Sequence, residues 1–237
     1  MLKSLLLRGG ALALLIAGGA QALGGATPLD GYLDNLKTLR ATFQEVLVDA
    51  HGKEVDRSTG TIVVVRPGKL RWETRPQTGT AQEGSAAKSD TSGSGGTDTG
   101  AQLVVADGRN IWFLDRDLQQ VTVKPADSAL SATPAMLLSG TVDVRKNFNI
   151  SAAGKRDGLE WVLVEPHGTE ADFRRALFGF EGSAPAAGEL KKMILDDKLG
   201  QTATIVFQKI ERNGPVSADE VSFTPPAGVD VIGTPRK

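Results

Sequence analysis

Residues 63–72 read VVVRPGKLRW: a β-branched run reaches Arg66 and Pro67, and a basic and apolar segment follows at once. β-branched and aromatic residues favour strands, so this stretch predicts two strands joined by a short turn. Side chains alternate between the two faces of a strand. The alternation places Arg66 beside an otherwise apolar face, whose other members are Ile62, Val64, Leu70 and Trp72. An arginine there needs a partner, because an unpaired buried charge is costly.

The rest of the chain reads as short strands separated by turn sequences such as Asp107-Gly108 and Asn213-Gly214. Few segments have helical periodicity, so the pattern predicts a long antiparallel meander. The predicted strands are Ala41–Val48, Thr61–Arg66, Leu70–Thr74, Leu103–Ala106, Asn110–Leu114, Gln119–Lys124, Phe148–Ser151, Glu160–Glu165, Phe173–Phe180, Leu190–Leu195 and Thr202–Ile210.

Two short helices are predicted. The first covers Pro28–Leu39, with Thr27 as its N-cap. The second covers Thr133–Gly140 and ends at its glycine. It is too short to be stable alone, so its large side chains must lie against apolar groups. These side chains are Met136, Leu137 and Leu138. From the residues alone, this helix is either a cap on the core or a lid over a cavity.

Residues 1–22 have the features of a cleaved signal peptide. Lys3 and Arg8 bracket a short basic region, Leu5–Ala20 is largely apolar, and Ala20-Gln21-Ala22 suits signal peptidase. A membrane anchor is the alternative, but a spanning helix needs about 20 continuous apolar residues. Glycines interrupt the run here. We therefore expect an exported, soluble protein of the periplasm.

The 237 residues include no cysteine, and the net charge is −1. The missing cysteine excludes disulfides, thiol catalysis, thiolate metal sites and lipid attachment to a cysteine. Lysine and arginine form no basic stripe, so nucleic acid is not an expected partner. Residues 23–237 are expected to form one domain. Within it, residues 77–100 contain no apolar residue larger than alanine and predict a disordered Gly/Ser-rich loop insertion rather than a phosphate-binding loop.

No catalytic, metal or cofactor site is predicted. His51 and His167 each precede a glycine, read as exposed loop residues and share no metal-ligand spacing. Asp196 and Asp197 form the best carboxylate pair, but adjacent strand residues face opposite ways. A hairpin turn closed by Gly200 explains them more simply, so no enzymatic activity is expected.

Six segments, taken in order between Leu29 and Ile232, resemble the periplasmic outer-membrane lipoprotein carrier (LolA) family. They are LxxLxxLxATFQE at 33–45, RPGKLRWE at 66–73, VVADGRNIWFLDRDLQQVTV at 104–123, TPAMLL at 133–138, LDDKLGQTATIVF at 195–207 and FTPPAGVDVI at 223–232. Six such segments in sequence, after a signal peptide and without cysteine, are specific to this family.

The resemblance implies a mainly β fold, an incomplete and strongly curved antiparallel β-barrel with short helices as a lid over an apolar cavity. It implies a chaperone that binds the acyl chains of triacylated lipoproteins. The expected partners are an inner-membrane ABC transporter, which supplies the lipoprotein, and an outer-membrane receptor, which accepts it. The carrier itself is expected to be a monomer without cofactors.

The resemblance also implies a role for Arg66 as a latch that hydrogen-bonds to backbone carbonyls of the lid and first helix. The matching carbonyls are those of Leu33, Leu138 and Ser139. The residues alone leave open an ordinary surface arginine at a strand end. The implied cavity residues are Phe43, Ile62, Val64, Leu70, Trp72, Val105, Met136, Leu137 and Leu138. Leu70 stands where some relatives have phenylalanine, which leaves its contribution to transfer open.

Three alternatives remain at this point. A lipoprotein-binding envelope-stress sensor of the same fold is expected to carry a second domain. An outer-membrane receptor of this shape would itself be a lipoprotein and would need a cysteine. A periplasmic hydrolase would depend on Asp196 or Asp197.

Overall fold

The computed structural model describes residues 26–77, 100–126, 135–140, 143–168, 171–182 and 188–236. The predicted signal peptide and nearly all of the predicted Gly/Ser-rich loop lie outside the described residues, as do the first two residues of the predicted second helix.

The described residues form twelve strands in one sheet. The first six strands are successive antiparallel neighbours: β1 (Thr38–Val48), β2 (Glu54–Val65), β3 (Lys69–Pro76), β4 (Gln102–Asp107), β5 (Asn110–Asp115) and β6 (Gln120–Pro125). A second antiparallel meander follows: β7 (Phe148–Arg156), β8 (Leu159–Pro166), β9 (Phe173–Glu181), β10 (Glu189–Asp197) and β11 (Thr202–Arg212).

The two meanders join where β1 pairs with β11. The last strand, β12 (Asp230–Ile232), pairs in parallel with β6. The strand order is β12-β6-β5-β4-β3-β2-β1-β11-β10-β9-β8-β7, so within the described residues β12 and β7 are the sheet edges. The predicted open, mainly antiparallel fold is therefore confirmed, although the chain forms two meanders instead of one.

In the part of the chain that the structure describes, four helical segments accompany the sheet: α1 (Pro28–Asn35), α2 (Ala135–Ser139), α3 (Val144–Asn147) and a 3-10 helix (Ala218–Val221). The first helix is shorter than predicted, because the backbone at Leu36 is extended and Leu39 lies in β1. Strand pairing of Thr38 with Val65 replaces the last helical turn. The segments that form α3, the 3-10 helix and β12 are too short to show a periodic sequence pattern, so none of the three was predicted.

A single hydrophobic cluster fills the concave side of the sheet. It combines Ile62 and Trp72 from the first meander with Phe178 and Phe180 from the second. All five residues of α2 are buried, as are four residues of α1. Since both meanders and both helices share this core, the sheet must curve around the helices.

A second cluster lies on the opposite face of β4, β5 and β6. It contains Leu103, Val105, Trp112, Leu114, Val121 and Val123, with Phe223 and Val229 packed against them. The rings of Trp112 and Phe223 are 5.6 Å apart. The C-terminal segment therefore covers the outer face of these three strands, which explains why they are apolar on both sides.

Gly60 of β2 provides the space for an aromatic ring on the concave face. A Cβ atom at this position would overlap the ring of Phe43 and the carbonyl oxygen of Glu73. Phe43 is fully buried and stacks on Trp72 with ring centroids 4.2 Å apart. The central aromatic packing therefore depends on the missing side chain of Gly60.

We expect Gly60→Ala to lower the free energy of unfolding by about 2–3 kcal/mol, because the added methyl group overpacks the core. Urea denaturation followed by circular dichroism measures this loss. Gly168→Ala is the control, since a Cβ atom there meets nothing within 4 Å. Equal stability of the two variants would show that Phe43 and the Glu73 carbonyl make room for the methyl group without a loss of stability.

Asp30 fastens the start of α1 to α3. Its carboxylate accepts hydrogen bonds from the Thr27 amide at 2.6 Å and from Arg145 Nε at 2.9 Å, and Arg145 also bonds to it through its terminal nitrogen at 2.6 Å. Burial opposes ionisation of Asp30, but these donors outweigh it and lower its pKa. The ionised carboxylate therefore stabilises the folded state.

We expect Asp30→Asn to cost about 1–2 kcal/mol at pH 7, the typical value of a lost cap and its charged hydrogen bonds. Because the folded-state pKa lies below the ordinary value of 3.8, this contribution is present above that pH. It should disappear as the pH falls through the folded-state pKa. Urea titrations at pH 7 and at acid pH test this, with Glu165→Gln on exposed β8 surface as control; a pH-independent difference would contradict it.

Candidate functional site

The apolar face predicted from residues 63–72 exists, and it faces the helices. Ile62 of β2 is directly opposite Trp72 of β3, and Val64 is opposite Leu70. All four side chains are buried in the concave cluster. The other predicted members that lie in this cluster are Phe43, Met136, Leu137 and Leu138.

Val105 was predicted to line this face, and that prediction is wrong. Val105 is opposite Arg71 in the sheet and belongs to the outer cluster. Its neighbour Val104 is opposite Trp72 and packs against the concave cluster. The error arose because β4 carries apolar residues on both faces, so hydrophobicity alone does not fix its orientation.

Three aromatic rings form the centre of the concave surface. Phe207 of β11 contacts Phe43 and Trp72 edge-on, at centroid distances of 6.3 and 6.4 Å. Together with the stacked pair of Phe43 and Trp72, this arrangement connects the two meanders. Phe207 was not selected from the sequence, although it lies within a segment that resembles the carrier family.

Arg66 lies just after β2 and reaches the end of α2. One of its terminal nitrogens donates a hydrogen bond to the Leu138 carbonyl oxygen at 3.2 Å. Its guanidinium also packs on the backbone of Gly140, where a Cβ atom would lie 2.8 Å from one nitrogen. Burial lowers the pKa of Arg66, and the negative charge of Asp34 opposes this effect. The arginine is therefore half-buried beside the helix rather than turned into solvent.

The other two predicted carbonyl partners have different donors. The Ser139 carbonyl accepts a hydrogen bond from the Gly68 amide at 2.7 Å, so the turn after Arg66 also holds α2. The Leu33 carbonyl accepts one at 3.3 Å from the amide of Leu36, the residue that follows α1. Of the three carbonyls, only that of Leu138 has a described hydrogen bond from the Arg66 side chain.

A cavity of about 300 Å³ lies on the concave face at the end away from Arg66. Its apolar lining comes from β1, β3, β4, α2, β10 and β11. These residues are Leu47, Trp72, Pro76, Val104, Ala135, Met193, Leu195 and Ile205. The polar lining consists of Glu45, Asp56, Ser58, Thr74 and Gln102, together with the backbone of Gly100.

Glu45 is the residue of this cavity that the sequence reasoning missed. It follows Leu39, Ala41 and Phe43 at every second position, so the alternation places it on the same face as three buried apolar residues. Burial and the negative charge of Asp56 raise the pKa of Glu45 to about 6. The sequence signal that could have identified Glu45 is a charged residue at a position that strand alternation assigns to the apolar face.

The candidate catalytic residues are accounted for by structural contacts. Asp196 accepts hydrogen bonds from Arg175 at 2.5 Å and from Thr202 at 2.8 Å, and Asp197 binds amides of the following turn. His51 is exposed, and His167 contacts the Lys146 carbonyl and Asn149. Within the described part of the chain, no three acidic or histidine side chains converge on a metal position.

No helix among the described residues has both the length and the apolar character needed to cross a membrane.

Comparison with known proteins matches residues 97–224 to the model of the outer membrane lipoprotein carrier protein LolA. An outer-membrane lipoprotein carrier protein of Dechloromonas aromatica is 40% identical over 211 residues, which cover 89% of this chain and 88% of the relative. One of Nitrosospira multiformis is 35% identical over 209 residues, which cover 88% of each chain. Among solved structures, a LolA superfamily protein of Nitrosomonas europaea aligns with a TM-score of 0.44 and 7% identity, over 83% of this chain and 96% of that one.

Since a relative is 40% identical over 89% of this chain and the family model matches more than half of it, this chain belongs to the outer-membrane lipoprotein carrier protein family.

Proposed function

We propose that this protein carries triacylated lipoproteins through the periplasm, from an inner-membrane ABC transporter to an outer-membrane receptor. The observation that carries the proposal is the apolar concave face, covered by a five-residue helix, in a chain of the carrier family. The acyl chains of the lipoprotein would take the place of the helix against this face. Export to the periplasm follows from the predicted signal peptide at residues 1–22.

The hydrophobic effect explains why a carrier is needed. Each methylene group removed from water is worth about 0.8 kcal/mol, so three acyl chains cannot leave a membrane unaccompanied. An apolar host removes this cost. The same host must be covered when empty, because a large exposed apolar patch promotes association. The helix α2 provides such a cover for the empty carrier.

Arg66 is proposed to hold the cover in place. Its hydrogen bond to the Leu138 carbonyl and its packing on Gly140 support this role. The Gly68 amide supports it further by binding the Ser139 carbonyl. Entry of acyl chains would displace α2 and break these contacts. Because these contacts exist only in the empty carrier, they stabilise the empty state. They therefore limit the affinity for cargo and permit its delivery.

A sensor of the same fold would bind lipoproteins without passing them on. The two relatives described above are both carrier proteins by name, and no feature of the described residues favours sensing over transport. The carrier hypothesis is therefore the one to test first.

The purified protein should release a triacylated lipoprotein from inner-membrane vesicles that contain the transporter, and form a soluble one-to-one complex with it. Immunoblotting of the supernatant after centrifugation, followed by size-exclusion chromatography, measures this release. Vesicles without ATP provide the control. Lipoprotein that stays in the vesicles at every carrier concentration would contradict the proposed function.

Arg66→Leu should still take up lipoprotein but pass it to receptor-containing outer membranes about tenfold less efficiently. Loss of a charged hydrogen bond of about 1.5 kcal/mol or more destabilises the closed, empty carrier relative to the loaded one. Transfer assays with equal amounts of loaded carrier measure the effect. Arg57→Leu on the same strand is the control, since Arg57 pairs with Glu54 on the surface. Normal transfer by Arg66→Leu would exclude the latch.

A further inference from the structure

Glu45 brings an ionisable group onto the face that accepts acyl chains in the proposed function. In the sheet it is opposite Ser58 of β2 on one side and Ile205 of β11 on the other. The buried ring of Phe43 lies two positions before it on the same face. Glu45 lines the cavity of about 300 Å³, so an acyl chain that fills the cavity must contact this residue.

Among the described residues, the carboxylate of Glu45 has neither an ion pair nor a hydrogen bond. The side chains that line the cavity around it are Leu47 on β1, Asp56 and Ser58 on β2, Trp72, Thr74 and Pro76 on β3, Gln102 and Val104 on β4, Ala135 on α2, Met193 and Leu195 on β10, and Ile205 on β11. Among the lining residues that the structure describes, Asp56 is the one other titratable side chain, and it has the same sign of charge.

The nearby arginines are engaged elsewhere. Arg57 binds Glu54 at 2.8 Å, and Arg75 binds Glu73 at 2.9 Å. The strand alternation places both arginines on the outer face of the sheet, away from the cavity. Within the described residues, the negative charge of Glu45 therefore has no compensating cation in the cavity.

An acyl chain in this cavity would displace the water that solvates the carboxylate. Desolvation disfavours the charged form of an acid, and a hydrocarbon chain offers no hydrogen bond in return. The same carboxyl group in its neutral form carries a much smaller penalty. Burial and Asp56 already raise the pKa of Glu45 to about 6 in the empty protein. Further desolvation by the chain acts in the same direction.

We propose that Glu45 links acyl-chain binding to proton uptake: its carboxylate takes one proton from the solvent when a chain fills the cavity and returns it when the chain leaves. This inference rests on the proposed function, since it assigns to the same cavity a residue that sets cargo affinity. Asp56, which is exposed at the cavity, favours the protonated form of Glu45 through its own negative charge.

Linkage fixes the sign of the pH dependence. Because the loaded protein binds a proton more tightly than the empty protein, affinity for the chain rises as the pH falls. The rise levels off below pH 6, because Glu45 is half protonated in the empty protein at about that pH and fully protonated about one unit lower. We expect binding to be roughly tenfold tighter at pH 6 than at pH 8, with at most about a twofold further gain below pH 6.

The test uses a synthetic triacylated lipopeptide with an uncharged peptide and an amidated C-terminus, so that the probe itself does not titrate. Equilibrium binding to the purified protein is measured from pH 5 to pH 8. Calorimetry in two buffers of different ionisation enthalpy counts the protons taken up at pH 7. Wild-type protein should take up a fraction of one proton per bound lipopeptide.

Glu45→Gln should bind with pH-independent affinity, at least as tightly as wild type at pH 6, and take up no proton. Asp56→Asn retains Glu45 and should shift the pH dependence to lower pH, because a neighbouring negative charge is removed. Glu165→Gln, on the surface of β8, should match wild type. Circular dichroism of each variant confirms that it is folded.

Tight binding with a flat wild-type pH profile would overturn this inference and leave the proposed function intact. Weaker binding at low pH, together with weaker binding by Glu45→Gln, would overturn it too, since the carboxylate would then pair with a donor of the cargo. Absence of lipopeptide binding at every pH would overturn the proposed function and this inference together.

Discussion

An open sheet with one apolar face must keep that face covered, because exposed apolar surface associates with other molecules. In this protein the cover consists of α1 and the five-residue α2, and both are buried against strands from the two meanders. A helix as short as α2 has no stability of its own. Its position depends entirely on tertiary contacts, so whatever competes for those contacts can displace it.

The contacts that hold α2 differ in kind. Leu137 and Leu138 contribute apolar burial, which acyl chains can replace with equivalent burial. The hydrogen bonds from Arg66 and from the Gly68 amide end on backbone carbonyls of the helix, and a hydrocarbon chain cannot replace them. In the proposed exchange of α2 for an acyl chain, the lost hydrogen bonds would leave a polar deficit of a few kcal/mol at most. A deficit of that size would suit the reversible binding that the proposed function requires.

The sequence predicted the fold well where one strand face is apolar and the other polar. Leu70 and Trp72 follow that pattern, since they alternate with charged residues. The structure packs them in one cluster with Ile62 and Val64 of β2. Val105 was assigned to the wrong face because β4 is covered on both sides, by the concave core and by the C-terminal segment. That segment has too few periodic residues for its 3-10 helix and β12 to be recognised.

The site was less predictable than the fold. Alternation indicates that Arg66 adjoins an apolar face, but the choice of Leu138 as hydrogen-bond acceptor depends on where a distant helix packs. The position of Glu45 on the concave face follows from its spacing to Phe43. Its raised pKa does not, since the depth of burial and the approach of Asp56 depend on the pairing of β1 with β2 and on the curvature of the sheet.

The pairing of β1 with β11 has a consequence for how the chain reaches its native state. Leu39 and Arg212, near opposite ends of the domain, are partners in the middle of the sheet. Folds with such high contact order fold slowly, because closing a long loop costs conformational entropy before the stabilising contacts between its ends have formed. The concave face needs both meanders, so an incomplete chain exposes β1 as an unprotected apolar edge. The β1 edge therefore lacks its partner strand until residues 202–212 are available to pair.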